Sequence, residues 1–389
     1  MSELKMAGEV LVKRGREQSI LRKHPWLFSG AIHSSTEGLR DGDWVEVKEG
    51  SGKILGRGHY QKGSITVRLI TFGKEEATAI YHRRISEALR LRQVPGIIPP
   101  DTNCFRLIHG EGDGLPGLVV DVYDRTAIIQ SHSAGMSRDK AFIARALTTL
   151  DGLKIEAVYF RDTLTEGGEY LAGKQSEQKI VSENGCLFTV DWERGQKTGF
   201  FLDQRDNRAL LGQYSKGKKV LNTFCYTGGF TVYALKANAS LVHSVDASAS
   251  AIELCEQNIR LNGFDPGVHK CFAEDVFKFL QGGEEKYDVI VLDPPAFAKH
   301  REAKHQAMKG YQRLNLEAMR IIGSDGIIFT FSCSQVVDRQ LFYDTVMSAA
   351  MLSGRAVRVL GHLSQPADHP VSAFHPEGAY LKGLILQVS

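Results

Sequence analysis

The chain has 389 residues, of which 42% are hydrophobic and 24% charged, a globular composition that excludes collagenous, coiled-coil and disordered proteins. Its 48 Lys and Arg residues against 45 Asp and Glu residues give a net charge of +3, which is too small to indicate a nucleic-acid partner. Residues 1–70 carry 12 basic and 8 acidic side chains, so we expect a polyanion to contact this part of the chain first.

The cysteines show neither a disulfide framework nor a zinc-type spacing, so we expect free thiols and no bound metal. The N-terminal residues contain no apolar run suited to a secretory signal. No stretch approaches the ~20 apolar residues that a membrane span needs. These features predict a cytoplasmic protein with no membrane contacts.

Residues 1–72 are predicted to form a small β-barrel domain. Short strand patterns alternate with turn sequences such as DGD, EGSG and QKG. The strands are predicted over residues 9–13, 44–48, 54–60 and 65–70.

Residues 73–191 are predicted to form a central α+β domain in the order strand, strand, helix, strand, strand. Within this range, a helix over residues 77–94 comes before the first of these strands. The helix has one apolar side and ends before Pro95. The elements that follow are predicted over residues 118–123, 126–131, 138–150, 157–161 and 185–190.

Residues 112–117 read GDGLPG and match the glycine pattern of dinucleotide-binding sites. That fingerprint has to follow a strand and open a helix, so that a pyrophosphate meets the helix N-terminus. Here the glycines lead into a β-branched segment that begins at Leu118. We therefore interpret the motif as a turn before a strand.

Residues 192–389 are predicted to form an α/β domain of Rossmann-like type. Apolar strands alternate with amphipathic helices, a pattern that builds a parallel sheet with helices on both faces. The strands are predicted over residues 219–224, 241–245, 268–272, 289–292, 327–331, 357–360 and 384–388.

The carboxyl ends of the first four of these strands carry the features of a ligand site. The first strand breaks into Thr227-Gly228-Gly229, where the absence of a Cβ would let a ligand lie against the backbone. Asp246, at the end of the second strand, can accept hydrogen bonds from ribose hydroxyls. Asp275 and Asp293 follow the next two strands, although each aspartate alone could be a helix N-cap. No P-loop pattern occurs, so a non-phosphorylated adenosine ligand is favoured.

Three segments around these positions resemble class I S-adenosylmethionine-dependent methyltransferases: residues 221–230, 245–248 and 292–297. The chain looks more closely like bacterial 23S ribosomal RNA cytosine-5 methyltransferases that carry an N-terminal PUA domain. Residues 22–30 resemble the start of that PUA domain, and residues 195–205 resemble the segment that enters the catalytic domain. The resemblance implies a C-terminal Rossmann-like methyltransferase domain (192–389), an N-terminal β-barrel PUA-like domain (1–72) and a central α+β domain (73–191).

The resemblance also implies the site residues and partners. S-adenosylmethionine is the expected cofactor, and 23S ribosomal RNA is the expected partner, contacted by Arg22, Lys23 and Trp26. A homodimer is left open. The residues expected to bind the cofactor are Lys197, Phe201, Asp203, Arg205, Asn222, Phe224, Thr227, Gly228, Gly229, Asp246, Ala247, Ser248, Asp275, Asp293 and Pro294.

The chemistry of the target atom points to Cys333. Carbon 5 of cytosine is not nucleophilic until a group adds at carbon 6, so such an enzyme needs a covalent nucleophile. Cys333 follows the fifth strand, which is the neighbour of the fourth in the usual methyltransferase sheet, so it would face one pocket with Asp293. The resemblance implies that Cys333 attacks the base and that Asp293 stabilises charge on it.

Two alternatives remain at this stage. The Asp-Pro-Pro-Ala-Phe motif is shared with other methyltransferases, so a guanine N-methyltransferase acting on ribosomal RNA would also fit. A non-catalytic RNA-binding or assembly protein on a methyltransferase scaffold is the other. Cys333 would then be an ordinary structural cysteine.

Overall fold

The computed structural model describes residues 4–75, 77, 79–162, 167–174, 179–282, 285–298 and 300–389. The chain forms two compact units, the first of Met1–Lys179, Asp191–Leu202 and Ala367–Gly378, the second of Ile180–Val190, Asp203–Pro366 and Ala379–Ser389. The division into three domains stays a prediction. Among the described residues, no helix combines the length and the apolar character needed to cross a membrane.

The first unit begins with a six-stranded sheet in the order β2-β6-β5-β4-β1-β3. Strands β1 and β4 are parallel, and the other neighbours are antiparallel. The small β domain predicted from the sequence is therefore confirmed. Its elements are β1 (Met6–Val12), α1 (Gln18–Leu21), β2 (Trp26–Phe28), β3 (Ile32–Ser35), β4 (Trp44–Lys48), β5 (Ile54–Tyr60) and β6 (Ile65–Phe72).

The first unit also holds a five-stranded sheet in the order β11-β10-β9-β8-β7. The predicted turn at residues 112–117 is confirmed, since a short 3-10 helix at Gly110–Asp113 precedes a strand there. The predicted helix over residues 138–150 is confirmed as the helix Lys140–Thr148, and a second short helix, Ala134–Arg138, precedes it. The elements are α2 (Ile80–Arg92), β7 (Cys104–His109), β8 (Leu118–Tyr123), β9 (Thr126–Ser131), α3 (Ala134–Arg138), α4 (Lys140–Thr148), β10 (Ala157–Asp162) and β11 (Gly168–Ala172).

A buried carboxylate, Asp139, joins the two sheets of the first unit. Its Oδ2 accepts hydrogen bonds from the Trp44 indole at 2.7 Å and the Tyr81 hydroxyl at 2.5 Å, and lies 3.1 Å from His59 Nε2. Burial by itself raises the pKa of Asp139, but its partners, His59 first, outweigh burial and hold the pKa below the ordinary value. The carboxylate is therefore ionised and fastens β4 and β5 to the segment between α3 and α4.

The second unit is built on a seven-stranded sheet in the order β16-β15-β14-β17-β18-β20-β19. The elements along the chain are β12 (Ile180–Glu183), β13 (Cys186–Thr189), α5 (Arg205–Ser215), β14 (Lys219–Thr223), α6 (Gly229–Lys236), β15 (Leu241–Asp246), α7 (Ala249–Leu261), β16 (His269–Ala273), α8 (Val276–Gly282), β17 (Tyr287–Leu292), α9 (Lys304–Ile321), β18 (Ile322–Ser332), α10 (Arg339–Ser353), β19 (Val357–Leu363) and β20 (Lys382–Val388).

The Rossmann-like architecture is confirmed, with two corrections. Strands β14 to β18 are parallel, but β20 runs antiparallel to both β18 and β19, because apolar patterning does not encode strand direction. The strand predicted over residues 185–190 does not complete the central domain. It is β13, which pairs with β12 in a separate hairpin of the second unit.

Alternate residues of the central strands β17 and β18 point into two different apolar cores. Ile290 and Ile328 belong to the core that includes α8, α9 and α10. Val289, Val291 and Phe329 belong to the core that includes α5, α6 and α7. The sheet is thus covered on both faces, which leaves its strand ends as the place where polar groups can meet a ligand.

Candidate active site

The candidate catalytic pair lies at the carboxyl ends of β17 and β18. These strands pair in parallel, with Leu292 opposite Thr330. Asp293 follows the last residue of β17, and Cys333 follows the last residue of β18. Neighbouring strands lie ~4.8 Å apart, so both residues leave the sheet at the same edge. The predicted adjacency of the fourth and fifth strands is therefore confirmed.

Tyr311 of α9 is a buried residue at the end of β18. Its hydroxyl accepts a hydrogen bond of 2.9 Å from the Ser332 hydroxyl, at the end of β18. Burial is the largest influence that raises the pKa of Tyr311, to about 12, and the charges of Cys333 and Asp293 both act in the same direction. Tyr311 is thus held at the end of β18, the strand that Cys333 follows.

Lys382 is a functional candidate that the sequence analysis missed. It is the first residue of β20, directly opposite Ser332 in the ladder with β18, and it is only 5% exposed. Its ammonium group donates hydrogen bonds of 2.6 Å to the backbone carbonyls of Ser334 and Val337. The sequence shows only a lysine at the start of an apolar strand. Its closeness to the Cys333 loop becomes visible only when β18 is known to be the partner of that strand.

Burial lowers the pKa of Lys382 to about 8, while the charges of Cys333 and Asp338 act in the opposite direction. Near neutral pH most of the lysine is therefore still charged. A cation beside the loop that carries Cys333 favours the thiolate over the thiol.

The turn that follows β14 has an unusual backbone. Phe224 and Tyr226 both adopt left-handed conformations, with φ of 53° and 47°, and Gly228 has φ of 80°. Such conformations are costly for residues with a Cβ and cluster at ligand-binding sites. The amide of Gly228 donates to the carbonyl of Cys225 at 2.8 Å, which closes the turn before α6 begins.

The sequence-based reason for the two glycines needs correction. A Cβ at Gly228 would lie 2.4 Å from the Cys255 thiol, and a Cβ at Gly229 would lie 2.9 Å from Cδ of Arg208. Both glycines are therefore required by packing within the protein and by the positive φ of Gly228, whether or not a ligand approaches. Substitution of either glycine would disturb the fold and would not isolate ligand binding.

Asp246 has the geometry of a ribose-binding carboxylate. It ends β15 and is partly exposed. Oδ2 accepts the amide of Tyr226 at 3.0 Å and Oδ1 accepts the amide of Ser248 at 2.9 Å. Each oxygen keeps a further lone pair for a hydroxyl donor. Nearby on β14, Asn222 is 1% exposed, and its Oδ1 has no hydrogen-bond partner among the described residues. These hydrogen-bond acceptors fit the ribose hydroxyls of an adenosine ligand.

Two members of the predicted cofactor set act as helix caps. The hydroxyl of Ser248 accepts the amide of Ala251 at the start of α7, at 3.3 Å. Asp275 accepts the amide of Lys278 in the first turn of α8, at 3.0 Å. Capping accounts for these side chains without a ligand, so their cofactor role stays a prediction. Ala247 is exposed, Phe224 is half-buried, and Thr227 and Pro294 are buried.

The four remaining residues of the predicted cofactor set lie on both sides of the boundary between the two units. Lys197 and Phe201 belong to the first unit, where the ammonium group lies 4.1 Å from the centroid of the aromatic ring. Asp203 and Arg205 are buried in the second unit, and Asp203 accepts a hydrogen bond of 2.6 Å from the Tyr380 hydroxyl. The cofactor role of these four residues stays a prediction.

Arg22 and Lys23, two of the predicted RNA-contacting residues, are exposed in the first unit. Trp26 is half-buried, and its indole donates a hydrogen bond of 2.9 Å to Glu111. One edge of Trp26 also meets the ring of His375, with centroids 4.4 Å apart. The RNA-contacting role of these residues stays a prediction, and much of the Trp26 ring is already engaged within the protein.

Comparison with known proteins identifies the family. Residues 139–371 match the family described as S-adenosylmethionine-dependent methyltransferase, and residues 10–72 match the PUA-like domain. Ribosomal RNA large subunit methyltransferase I of Alteromonas mediterranea is 39% identical over 398 residues, which cover 99% of this chain and 100% of that protein. The protein of the same name from Escherichia coli is 37% identical over 402 residues, with coverages of 98% and 100%.

Two solved structures share the fold. A methyltransferase from Streptococcus mutans has a TM-score of 0.84 and 23% identity, covering 98% of this chain and 100% of that one. A methyltransferase crystallised with S-adenosylhomocysteine has a TM-score of 0.85 and 24% identity, with the same coverages. The family and cofactor predicted from the sequence motifs are thus confirmed. The chain belongs to the ribosomal RNA large subunit methyltransferase I family, and S-adenosylmethionine is its methyl donor.

Proposed function

We propose that this protein methylates carbon 5 of a cytosine in 23S ribosomal RNA through a covalent bond to Cys333. Relatives 37–40% identical carry the name ribosomal RNA large subunit methyltransferase I, which supports the RNA substrate. The observation that carries the choice of atom is the pair Cys333 and Asp293, which follow the ends of two neighbouring parallel strands. Such a substrate, together with six cysteines that are all free thiols, supports a cytoplasmic enzyme.

A carbon target makes a demand that a nitrogen target does not. Ring and exocyclic nitrogens of bases carry lone pairs and need only a shaped, desolvated pocket. Carbon 5 of cytosine needs a nucleophile at carbon 6, and a thiolate is the best nucleophile among protein side chains near neutral pH. A half-buried thiol beside a carboxylate and a buried ammonium group meets this demand.

The proposed reaction begins with the target base outside the RNA stack, because a stacked cytosine cannot present carbon 6 to a thiolate. The thiolate sulfur of Cys333 forms a bond to carbon 6, and Asp293 gives a proton to ring nitrogen 3, which takes up the negative charge of the addition and leaves carbon 5 enamine-like. S-adenosylmethionine supplies the methyl group when bound. A base then removes the carbon 5 proton, and the electrons left on carbon 5 restore the 5,6 double bond as the bond between sulfur and carbon 6 breaks. Cys333 returns as the thiolate, and the proton on nitrogen 3 returns to Asp293.

The experiment that tests this function compares 23S ribosomal RNA from a strain that lacks the gene with RNA from complemented strains. Nucleoside mass spectrometry should find one 5-methylcytidine missing in the deletion strain. The wild-type chain should restore it, and Cys333→Ala should not. Cys104→Ala is the matched control, because it removes a buried thiol from β7 of the first unit and should restore methylation.

Each other outcome points to one of the alternatives. A missing methylguanosine, restored by Cys333→Ala, would identify a nitrogen methyltransferase and overturn the covalent mechanism. Ribosomal RNA whose methylation does not depend on the gene would overturn the RNA methyltransferase function and leave a scaffold protein.

Asp246→Ala should weaken the binding of S-adenosylmethionine and S-adenosylhomocysteine alike, by roughly tenfold or more, because both ligands carry the same ribose. Isothermal titration calorimetry measures both affinities. Asp265→Ala is the matched control, since this exposed aspartate also accepts a backbone amide but lies in the loop before β16. Unchanged affinities in a folded Asp246→Ala variant would remove this carboxylate from the cofactor site.

Lys382→Met should raise the pKa of the Cys333 thiol, because a buried cation that favours the thiolate is lost. The rate of iodoacetamide alkylation at Cys333, followed by mass spectrometry across pH, measures this pKa without methyl transfer. Lys382→Arg keeps the charge and Lys218→Met removes an exposed lysine; both should leave the midpoint near that of the wild type. An unchanged midpoint in Lys382→Met would show that the lysine only holds the loop.

A further inference from the structure

Two histidines and a glutamate from distant parts of the chain meet in the first unit. His24 precedes β2, while His375 and Glu377 lie in the Ala367–Gly378 segment between β19 and β20. One ligand atom from each of the three side chains lies within 4.8 Å of the other two. The cluster is independent of Cys333 and Asp293, and neither the family nor the methyl-transfer chemistry assigns it a role.

His375 is the unusual member of the cluster. It is 3% exposed, and neither of its ring nitrogens has a hydrogen-bond partner among the described residues. A buried polar atom without a partner costs about 1–3 kcal/mol. The lone pair of the His375 ring is therefore available to a metal ion.

The spacing of the ligand atoms leaves room for an ion between them. Nε2 of His375 lies 3.8 Å from one oxygen of Glu377, and Nε2 of His24 lies 3.9 Å from the other. These distances are too long for hydrogen bonds. Ligands of a tetrahedral zinc ion lie about 3.3 Å apart, given bonds of about 2.0–2.1 Å. The Glu377 side chain is 55% exposed, so it is free to rotate by the small amount needed.

The backbone of Trp26 and the carboxylate of Glu111 lie around the proposed ligands. Nδ1 of His24 lies 3.3 Å from the carbonyl oxygen of Trp26 and 3.1 Å from its amide. The amide of Trp26 donates to Nδ1 in the shorter of these contacts, so a metal ion on Nε2 requires the tautomer in which Nδ1 donates to the Trp26 carbonyl instead, as in most zinc-bound histidines. Glu111 accepts a hydrogen bond from the Trp26 indole and adds negative charge near His375. The same carboxylate also acts on the charge of Arg68.

We propose that His24, His375 and Glu377 bind a divalent transition-metal ion of the zinc type, with water completing the coordination. Two imidazoles and a carboxylate are the ligands that zinc takes in sites with an open fourth position. The ion fastens the Ala367–Gly378 segment to the start of β2. The same segment is held elsewhere in the first unit, where the carbonyl of Asp368 accepts a hydrogen bond from Arg92 at 2.8 Å.

The test uses the full-length chain, stripped of metal by chelation and titrated with zinc chloride alone. Calorimetry and elemental analysis after dialysis should find one ion per chain, and the ion should raise the melting temperature. Glu377→Gln should weaken zinc binding by roughly tenfold or more, and His375→Ala should abolish it. Cobalt(II) should give the visible absorption of a low-coordinate site in the wild type and lose it in His24→Ala.

The matched control is His33→Ala, which removes an exposed histidine of β3 in the same sheet and should leave zinc binding unchanged. Because His375→Ala removes a buried side chain and could unfold the segment, the exposed Glu377 provides the variant that keeps the fold. The proposal is overturned if the wild type binds no zinc at millimolar concentration. It is equally overturned if Glu377→Gln and His24→Ala bind zinc as tightly as the wild type, which would leave a bound water between the rings.

Discussion

The parallel pairing of β17 with β18 is the constraint on which the candidate active site depends. The register that sets Leu292 opposite Thr330 brings the next residues of both strands to one edge of the sheet. Buried apolar side chains such as Val291 and Ile328 seal both faces below that edge. A shift of one residue would turn every side chain of a strand to the other face, so the cores that stabilise the fold also fix where Asp293 and Cys333 emerge.

Around that edge the protein surrounds a thiol with groups that control charge. Lys382 is buried where an ammonium group is poorly solvated, and two backbone carbonyls hold it beside the loop of Cys333. Electrostatic interactions are stronger in such a site than in water. Tyr311, also buried, accepts a hydrogen bond from Ser332, the residue before Cys333. The strand register therefore sets the position of the thiol, and the buried ammonium group of Lys382 favours its thiolate form.

Much of this arrangement could be predicted from the sequence, because periodicity marks strands and helices and the end of a strand marks the edge of a sheet. Asp246 and Cys333 could be found in this way. The antiparallel direction of β20 could not be, because an apolar run reads the same in either direction. For the same reason Lys382 and the His24–His375 cluster were missed: their partners are distant in the chain. The sequence marked Gly228 as a ligand-facing glycine, but only the packing reveals that a Cβ there would collide with Cys255.

The central claim is that Cys333 forms a bond to the target base, and trapping that bond tests it most directly. An RNA with 5-fluorocytosine at the target lacks the carbon 5 proton, so release of the enzyme should fail after methyl transfer. The account predicts an adduct that survives denaturant, requires S-adenosylmethionine, maps by peptide mass spectrometry to Cys333, disappears in Cys333→Ala and persists in Cys104→Ala. An adduct on another cysteine, or cytosine methylation by the Cys333→Ala variant, would contradict the account.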